Sequence, residues 1–296
     1  MKIAVLGASG TVGRALLPLL AQQHDVLAVS RRPPDATGGI RWEAADATEG
    51  EAVRRLFEDR ELAYYLVHSL GSRDFEARDR LAAETVAREA ERAGLRQLVY
   101  LGGLGDDSPD LSRHLRSRAD TASFLASGSV PVTTLRAAMV IGAGSAAFET
   151  IVALVDRLPG MICPRWVSTR TQPIALADVA AYLAAVAGRK ETMGTSFDAG
   201  GPDVMTYREM IERIARIRRK HPLIVEVPVL TPRLSSYWLH LVTPVKAGVA
   251  RPLIEGLRTA TVSRDERLRR LVPLRLTSFD DAARAAMSAR SSPAES

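Results

Sequence analysis

The sequence predicts an α/β chain built on a doubly wound parallel sheet, followed by a smaller, mostly helical C-terminal lobe. Three observations carry that expectation. Short apolar runs alternate with helix-period segments through the first half of the chain. A glycine-rich turn separates the first apolar run from the first amphipathic segment. After about residue 140 the alternation loosens and helical segments dominate.

In chain order, residues 2–6 read as a short apolar strand. Residues 11–22 follow as a helix with Val12, Leu16, Leu19 and Leu20 on one side. Residues 25–30 form a second apolar strand, stopped by Pro33-Pro34. A weak strand over 40–43, a helix over 49–58 and a buried strand over 62–67 come next. The long helix over 73–93 closes at Gly94. Residues 96–101 and 132–136 are strands around a helix over 111–126 that ends near Gly128. Strands separated by helices imply right-handed crossovers and parallel pairing. Beyond them, Gly142-Ala143-Gly144 opens a loop before a helix over 145–158. Residues 173–175 are extended, and 176–187 are helical with Asp178 in the first turn, where a carboxylate favours the helix dipole. Residues 197–199 form a short strand before the turn Gly200-Gly201-Pro202. Thr206 is placed to cap a basic helix over 207–219, and 223–227 alternate as a strand. From residue 232 to about 286, helical pieces are broken by Pro244, Pro252 and Pro273, and 291–296 read as a frayed tail.

A chain of 296 residues that is 46% hydrophobic can bury a sizeable core. Its net charge is +6, nearly all of the positive side being arginine, with lysine only at positions 2, 190, 220 and 246. The densest basic runs, 213–220 and 264–270, read as solvated helix faces, and Asp265 and Glu266 interrupt the second. Nucleic-acid binding is therefore disfavoured, while attraction to anionic cofactors or lipid headgroups fits the charge. The single cysteine, Cys163, excludes an intrachain disulfide and CxxC chemistry, in keeping with a cytoplasmic protein. No segment reaches the roughly 20 apolar residues of a membrane helix, which leaves only peripheral membrane contact open.

The strongest motif is Gly7-Ala8-Ser9-Gly10-Thr11-Val12-Gly13, set between the first strand and the first helix. Glycines at this spacing allow a tight turn, and backbone N–H groups can then approach a pyrophosphate at the positive helix end. Gly13 would let the helix pack closely on the sheet. The fold class is thus a Rossmann-type doubly wound parallel sheet, with the NAD(P)-binding core over 1–140 and a substrate or partner lobe over 141–290, interleaved with the last core elements. The second strand ends at Ser30-Arg31-Arg32, with no Asp or Glu to hold the ribose hydroxyls of NAD. Two arginines suit a 2′-phosphate, so NADP(H) is favoured over NAD(H). Asp46 stands either at the adenine edge or as a cap of the next helix. His68-Ser69-Leu70-Gly71 ends the fourth strand beside the middle of the cofactor.

With these residues in place, the chain resembles the atypical short-chain dehydrogenase/reductase superfamily, and within it the NmrA-like NAD(P)H-binding proteins, including an uncharacterised bacterial subgroup. The resemblance runs along almost the whole chain. It rests on the glycine turn, Tyr65-Leu66-Val67-His68-Ser69, Leu98-Val99-Tyr100-Leu101-Gly102-Gly103, Val132-Thr133-Thr134-Leu135-Arg136 and Pro173-Ile174-Ala175-Leu176-Ala177-Asp178. It implies that Gly7, Ser9, Gly10, Thr11, Val12 and Gly13 hold phosphates, and that Arg31 and Arg32 select the 2′-phosphate. Asp46 and Ala47 would flank the adenine, His68 and Ser69 line the ribose, and Arg136 and Ala137 pass near the nicotinamide.

Active members of the superfamily use a Tyr-x-x-x-Lys pair on one helix face. Here none of Tyr64, Tyr65, Tyr100, Tyr182, Tyr207 and Tyr237 has a lysine four positions later. The matching helix offers His114-Leu115-Arg116-Ser117-Arg118, and the usual Ser/Thr segment reads Gly102-Gly103-Leu104. His114 is the candidate proton donor, with a surface histidine as the alternative, and Arg118 the candidate ribose ligand. Two functions stay open on these residues. One is an NADPH-dependent oxidoreductase on a small carbonyl or quinone-like substrate. The other is a non-catalytic NADP(H)-binding sensor or accessory protein with a protein partner. Phe148, Trp166 and Arg170 are positional candidates for the substrate side. Tyr237, Trp238, Leu241 and Val242 form a stripe for the core, a pocket roof or a membrane. The five histidines show no ligand spacing and no Gly-x-Ser-x-Gly elbow occurs, so metal and hydrolase chemistry are disfavoured.

Overall fold

The computed structural model describes residues 1–34, 39–68, 74–105, 111–227 and 256–291. The first half runs β1 (Lys2–Leu6), α1 (Thr11–Ala21), β2 (Asp25–Ser30), β3 (Arg41–Ala44), α2 (Gly50–Phe57), β4 (Leu62–Tyr65), α3 (Phe75–Ala93), β5 (Gln97–Gly103), α4 (Arg113–Leu125) and β6 (Val132–Ala137). The second half adds β7 (Val140–Ile141), α5 (Ala146–Arg157), β8 (Gly160–Pro164), β9 (Arg170–Thr171), β10 (Ile174–Ala175), α6 (Leu176–Ala185) and β11 (Ser196–Ala199). It continues with β12 (Met205–Thr206), α7 (Tyr207–Ile217), β13 (Leu223–Val227), α8 (Arg267–Leu271) and α9 (Phe279–Ser291).

Seven parallel strands form the central sheet in the order β3-β2-β1-β4-β5-β6-β11. Both faces are covered, which explains why the strands read as continuous apolar runs. Along β1 the period of two sends Ile3 and Val5 to one core, against Leu16, Leu20 and Val179 of α1 and α6. Ala4 and Leu6 go to the other, with Val53, Val86 and Leu125 of α2, α3 and α4. The strand order reverses between β1 and β4, so a crevice opens at the carboxyl ends of those two strands.

The lobe has its own core. Phe148, Ile151 and Val155 of α5 pack with Met210, Ile211 and Ile214 of α7 and with Phe279 and Ala283 of α9. Helix α7 begins with a capping box: the Thr206 hydroxyl accepts the Glu209 N–H at 3.1 Å, and the Glu209 carboxylate accepts the Thr206 N–H at 2.7 Å. Asp178, in the first turn of α6, accepts the Thr277 N–H at 2.7 Å and its hydroxyl at 3.0 Å, fixing the approach to α9. Three two-stranded pieces, β7-β10, β9-β12 and β8-β13, supplement the helices. Among the described residues no helix is long and apolar enough to cross a membrane. Residues 292–296 of the tail lie outside the described residues, whereas Ser291 ends α9.

Candidate dinucleotide-binding site

The site grows from the turn between β1 and α1. The Gly7 and Ala8 N–H groups both donate to the Val29 carbonyl at 3.0 Å, and the Gly10 N–H donates to Gly7 at 3.0 Å. Gly7 has φ +81°, and a Cβ there would lie 2.6 Å from the Leu66 carbonyl oxygen. A Cβ on Gly13 would lie 2.6 Å from the Ala8 carbonyl, so α1 rests directly on the turn. No side chain caps α1 and its first turn holds no acidic residue. The leading N–H groups at Thr11, Val12 and Gly13 therefore meet the cleft with the positive end of the helix dipole. That cradle fits a pyrophosphate. The Thr11 hydroxyl is committed elsewhere, donating to the Gly144 carbonyl at 2.8 Å.

The cleft encloses about 420 Å³ along the carboxyl ends of β2, β1, β4 and β5. At one end Arg31 lines it, and a neighbouring hollow is formed by Ser9, Arg31 and Arg32. Asp46 and Ala47 line the same end. Asp46 does not cap α2, whose N-cap is Glu49. Its carboxylate instead accepts the Thr48 N–H at 3.0 Å and hydroxyl at 2.9 Å and pairs with Arg78. Burial pushes the Asp46 carboxyl up, but the two Thr48 bonds and the Arg78 and Arg31 charges outweigh it and hold it below the ordinary carboxylate range.

At the other end stand His68 and Arg118. Asp79 of α3 is 3% exposed; its carboxylate lies 3.4 Å from His68 Nδ1, and the Ser117 hydroxyl is 3.5 Å away. The His114 ring lies 5.1 Å from the His68 ring, centroid to centroid. His68 Nε2 and His114 Nδ1 are buried and have no hydrogen-bond partner among the described residues. Burial lowers both imidazole pKa values. The Arg118 charge adds to this at both rings, and Asp79 opposes it at His68. His114 falls to about 3, so both rings are neutral near pH 7. Arg118 donates to the Leu101 carbonyl and lies over the Tyr100 ring at 5.3 Å.

The structure thus gathers Gly7, Ser9, Gly10, Thr11, Val12, Gly13, Arg31, Asp46, Ala47, His68 and Arg118 around one cleft, with Arg32 at its edge. His114 sits behind His68 rather than on the wall. Ser69 lies outside the described residues, as do Tyr237, Trp238, Leu241 and Val242. Arg136 and Ala137 do not line the cleft. Arg136 pairs with Asp198 of β11 at 2.6 Å, and Ala137 is buried between β5 and β11. Phe148 is fully buried in the lobe core, Trp166 packs edge-on against Tyr207, and Arg170 is exposed on β9. Sequence reasoning missed Ser30, Thr48, Arg78 and Asp79. The last two stand one turn into the helix after β4, the place from which a helix can reach the crevice. No group of three or more metal-ligating side chains occurs among the described residues.

Residues 7–147 match the model of a family described as NAD(P)H-binding. Over this region the chain is similar to that family. It is also 25% identical, over 239 residues, to the mitochondrial NADH dehydrogenase (ubiquinone) 1 alpha subcomplex subunit 9 of Arabidopsis thaliana. That match spans 76% of this chain and 60% of the length of the plant protein. Identity to the (4-alkanoyl-5-oxo-2,5-dihydrofuran-3-yl)methyl phosphate reductase of Streptomyces griseus is 26% over 223 residues, 73% of each chain. The fold superimposes on the NADPH-dependent quinone oxidoreductase QOR2 of Escherichia coli, complexed with NADPH, with a TM-score of 0.75. Identity there is 18%, covering 97% of this chain and 99% of the other.

Proposed function

We propose that the chain is an NADP(H)-dependent oxidoreductase of the atypical short-chain dehydrogenase/reductase type, NmrA-like in its N-terminal half, acting in the cytoplasm on a small quinone-like or carbonyl acceptor. The observation that carries this reading is one continuous cleft running from the Arg31 guanidinium, past the open end of α1, to His68 and Arg118. Arg31 and Arg32 supply charge-assisted donors for a 2′-phosphate. The backbone from Gly10 to Gly13 takes the pyrophosphate. Bound nicotinamide would supply a hydride. His68, oriented by Asp79, and Arg118 then position the ribose and acceptor. The relatedness to a reductase and the likeness to an NADPH-dependent oxidoreductase support this reading.

A second reading rests on a specific observation. Arg118 is engaged with Leu101 and Tyr100, and His114 is neutral behind His68, so among the described residues neither candidate on this helix offers the cleft a readily released proton. That favours a protein that holds NADP(H) without turning it over, reporting to or supporting a partner. The relatedness to a subunit named for NADH dehydrogenase supports it. Fluorescence titration with NADPH and NADH, followed by quinones and carbonyls, separates the two. Tighter NADPH binding and acceptor-dependent loss of signal establish the reductase. A stable signal across the panel establishes the second reading, and binding of neither nucleotide rejects both.

A further inference from the structure

The β8–β13 ribbon has two unlike faces. Inward, Met161, Cys163 and Ile224 pack on the lobe core. Outward, Ile162 is 67% exposed, Leu223 69% and Val225 43%. Ile162 pairs in register with Val225, and Leu223 lies two residues along the same strand, so the three share one face. Among the described residues the other exposed large hydrophobics, Met1, Leu19, Leu81, Val204 and Leu274, are scattered singly along the chain.

A basic run leads into this strand pair in sequence. Arg216, Arg219 and Lys220 close α7 just before β13, all are exposed, and none makes an ion pair among the described residues. Of the nearby acids, Asp156 is paired with an arginine, whereas Glu226 of β13 keeps its charge. Asp156 is held in two bonds by Arg218 at 2.7 and 3.1 Å, and Glu226 accepts the Ser168 hydroxyl at 3.1 Å. Arg219 is itself unusual. The Lys220 N–H donates to Ala215 and the Arg219 N–H to Arg216, which makes Arg219 the left-handed residue of a helix-closing turn, at φ +55°. Glycine ordinarily fills that position. Here a cation stands where the backbone disfavours any side chain.

We propose that this face is a docking surface for an anionic lipid bilayer. The aliphatic side chains would enter the headgroup–acyl boundary while the guanidinium and ammonium groups meet anionic headgroups. Charge decides against the other occupants. A two-fold copy would set its own Arg219 and Lys220 near these, and three aliphatic side chains fall well short of the roughly 800 Å² each partner buries in a stable dimer. A nucleic acid would leave the aliphatic face wet.

The test is vesicle co-sedimentation of the full chain, using phosphatidylcholine alone and phosphatidylcholine with one part in three phosphatidylglycerol. Binding to the anionic vesicles only is expected, falling as salt approaches about 0.5 M. Arg219→Gly should weaken it roughly fivefold, the worth of one basic residue at such a surface, without lowering the melting temperature. Paired Ile162→Ser and Leu223→Ser should weaken it by roughly tenfold or more. Equal binding by these variants, or absence of binding to anionic vesicles, overturns the proposal. So does a dimer in light scattering that the serine variants dissociate, which assigns the face to a second copy. Arg219→Gly guards against misfolding as an explanation, since glycine suits its backbone.

Discussion

Replacing Gly7 by alanine tests the geometry of the cleft directly. The substitution imposes two costs. A side chain at φ +81° costs about 1–2 kcal/mol. The new methyl group would also meet the Leu66 carbonyl oxygen and carbon at 2.6 and 2.7 Å, and these are backbone atoms that cannot turn aside. Relieving that overlap means parting β1 from the end of β4, an overpacking cost of about 1–3 kcal/mol. The total, about 2–5 kcal/mol, leaves most domains folded. At roughly 2 °C per kcal/mol for a chain of this size, the melting temperature should fall by about 4–10 °C. Because the parting occurs where the pyrophosphate would sit, stabilisation by NADPH should fall as well. In wild type that stabilisation is about 2.7 kcal/mol at a hundredfold excess over Kd. Gly94→Ala is the control: it has φ +67°, but its methyl group meets nothing within 4 Å. It should cost only the backbone term and leave NADPH binding unchanged. Thermal scans with and without NADPH read both quantities. If Gly7→Ala and Gly94→Ala melt together and bind NADPH alike, the close approach of β1 and β4 is not what shapes the site.

Arg31→Ala and Arg32→Ala should each weaken NADPH binding by roughly 10- to 100-fold, the worth of a bond to a charged group, with little change for NADH; parallel titrations check this. His114 should make the fold acid-sensitive. Its folded pKa of about 3 lies below the ordinary value of 6.5, so the unfolded chain takes up a proton that the folded chain refuses. Stability should therefore fall from pH 6.5 towards 3, by up to about 1.4 kcal/mol per pH unit, and a His114→Asn variant should show a shallower fall in melting temperature. Asp198→Ala removes the carboxylate 2.6 Å from the Arg136 guanidinium and leaves the Arg264 N–H without its 2.9 Å acceptor. It should cost about 3–5 kcal/mol while NADPH affinity is retained, as thermal melts and titration will show. Quinones should turn over at least roughly 100-fold faster than simple ketones in a steady-state NADPH assay.

Much of the fold could be read from the residues because the central sheet is buried on both faces. Runs such as Ala4-Val5-Leu6 and Leu98-Val99-Tyr100 have few other uses, and the glycine turn fixed where the crevice would open. The differences have local causes. The strand expected over 62–67 ends at Tyr65: the Leu66 N–H still donates to the Leu6 carbonyl, and Leu66, Val67 and His68 then form part of the cleft wall. Strand β8, Gly-Met-Ile-Cys-Pro, carries a glycine and a proline at its ends, and it exists because β13 supplies a partner about 60 residues later. The site was legible where backbone conformation makes it and obscure where distant side chains do. Arg136 was read towards the nicotinamide because nothing nearby in sequence announces Asp198, 62 residues on, as its partner. Arg78 and Asp79 look like any charged pair on a polar helix until the helix is docked beside β4.

The same docking bears on what chemistry the cleft can support. A carbonyl that accepts a hydride becomes an alkoxide and needs a proton as it forms. The superfamily's Tyr-x-x-x-Lys pair is suited to supplying one. Here the corresponding helix face presents His114 and Arg118. The first is neutral at pH 7 and packed behind His68, and the second does not release protons. Asp79 sets the His68 tautomer by accepting from Nδ1, which leaves Nε2 as a lone pair able to receive a hydrogen bond but not to donate one. A cleft furnished this way can orient a ribose hydroxyl or a ring. Among the described residues it offers no ready acid for an alkoxide. An acceptor that spreads the incoming charge over its own conjugated system, as a quinone does, asks less of the protein. If the chain turns NADPH over, the side chains at this end of the cleft would favour delocalised acceptors over simple ketones.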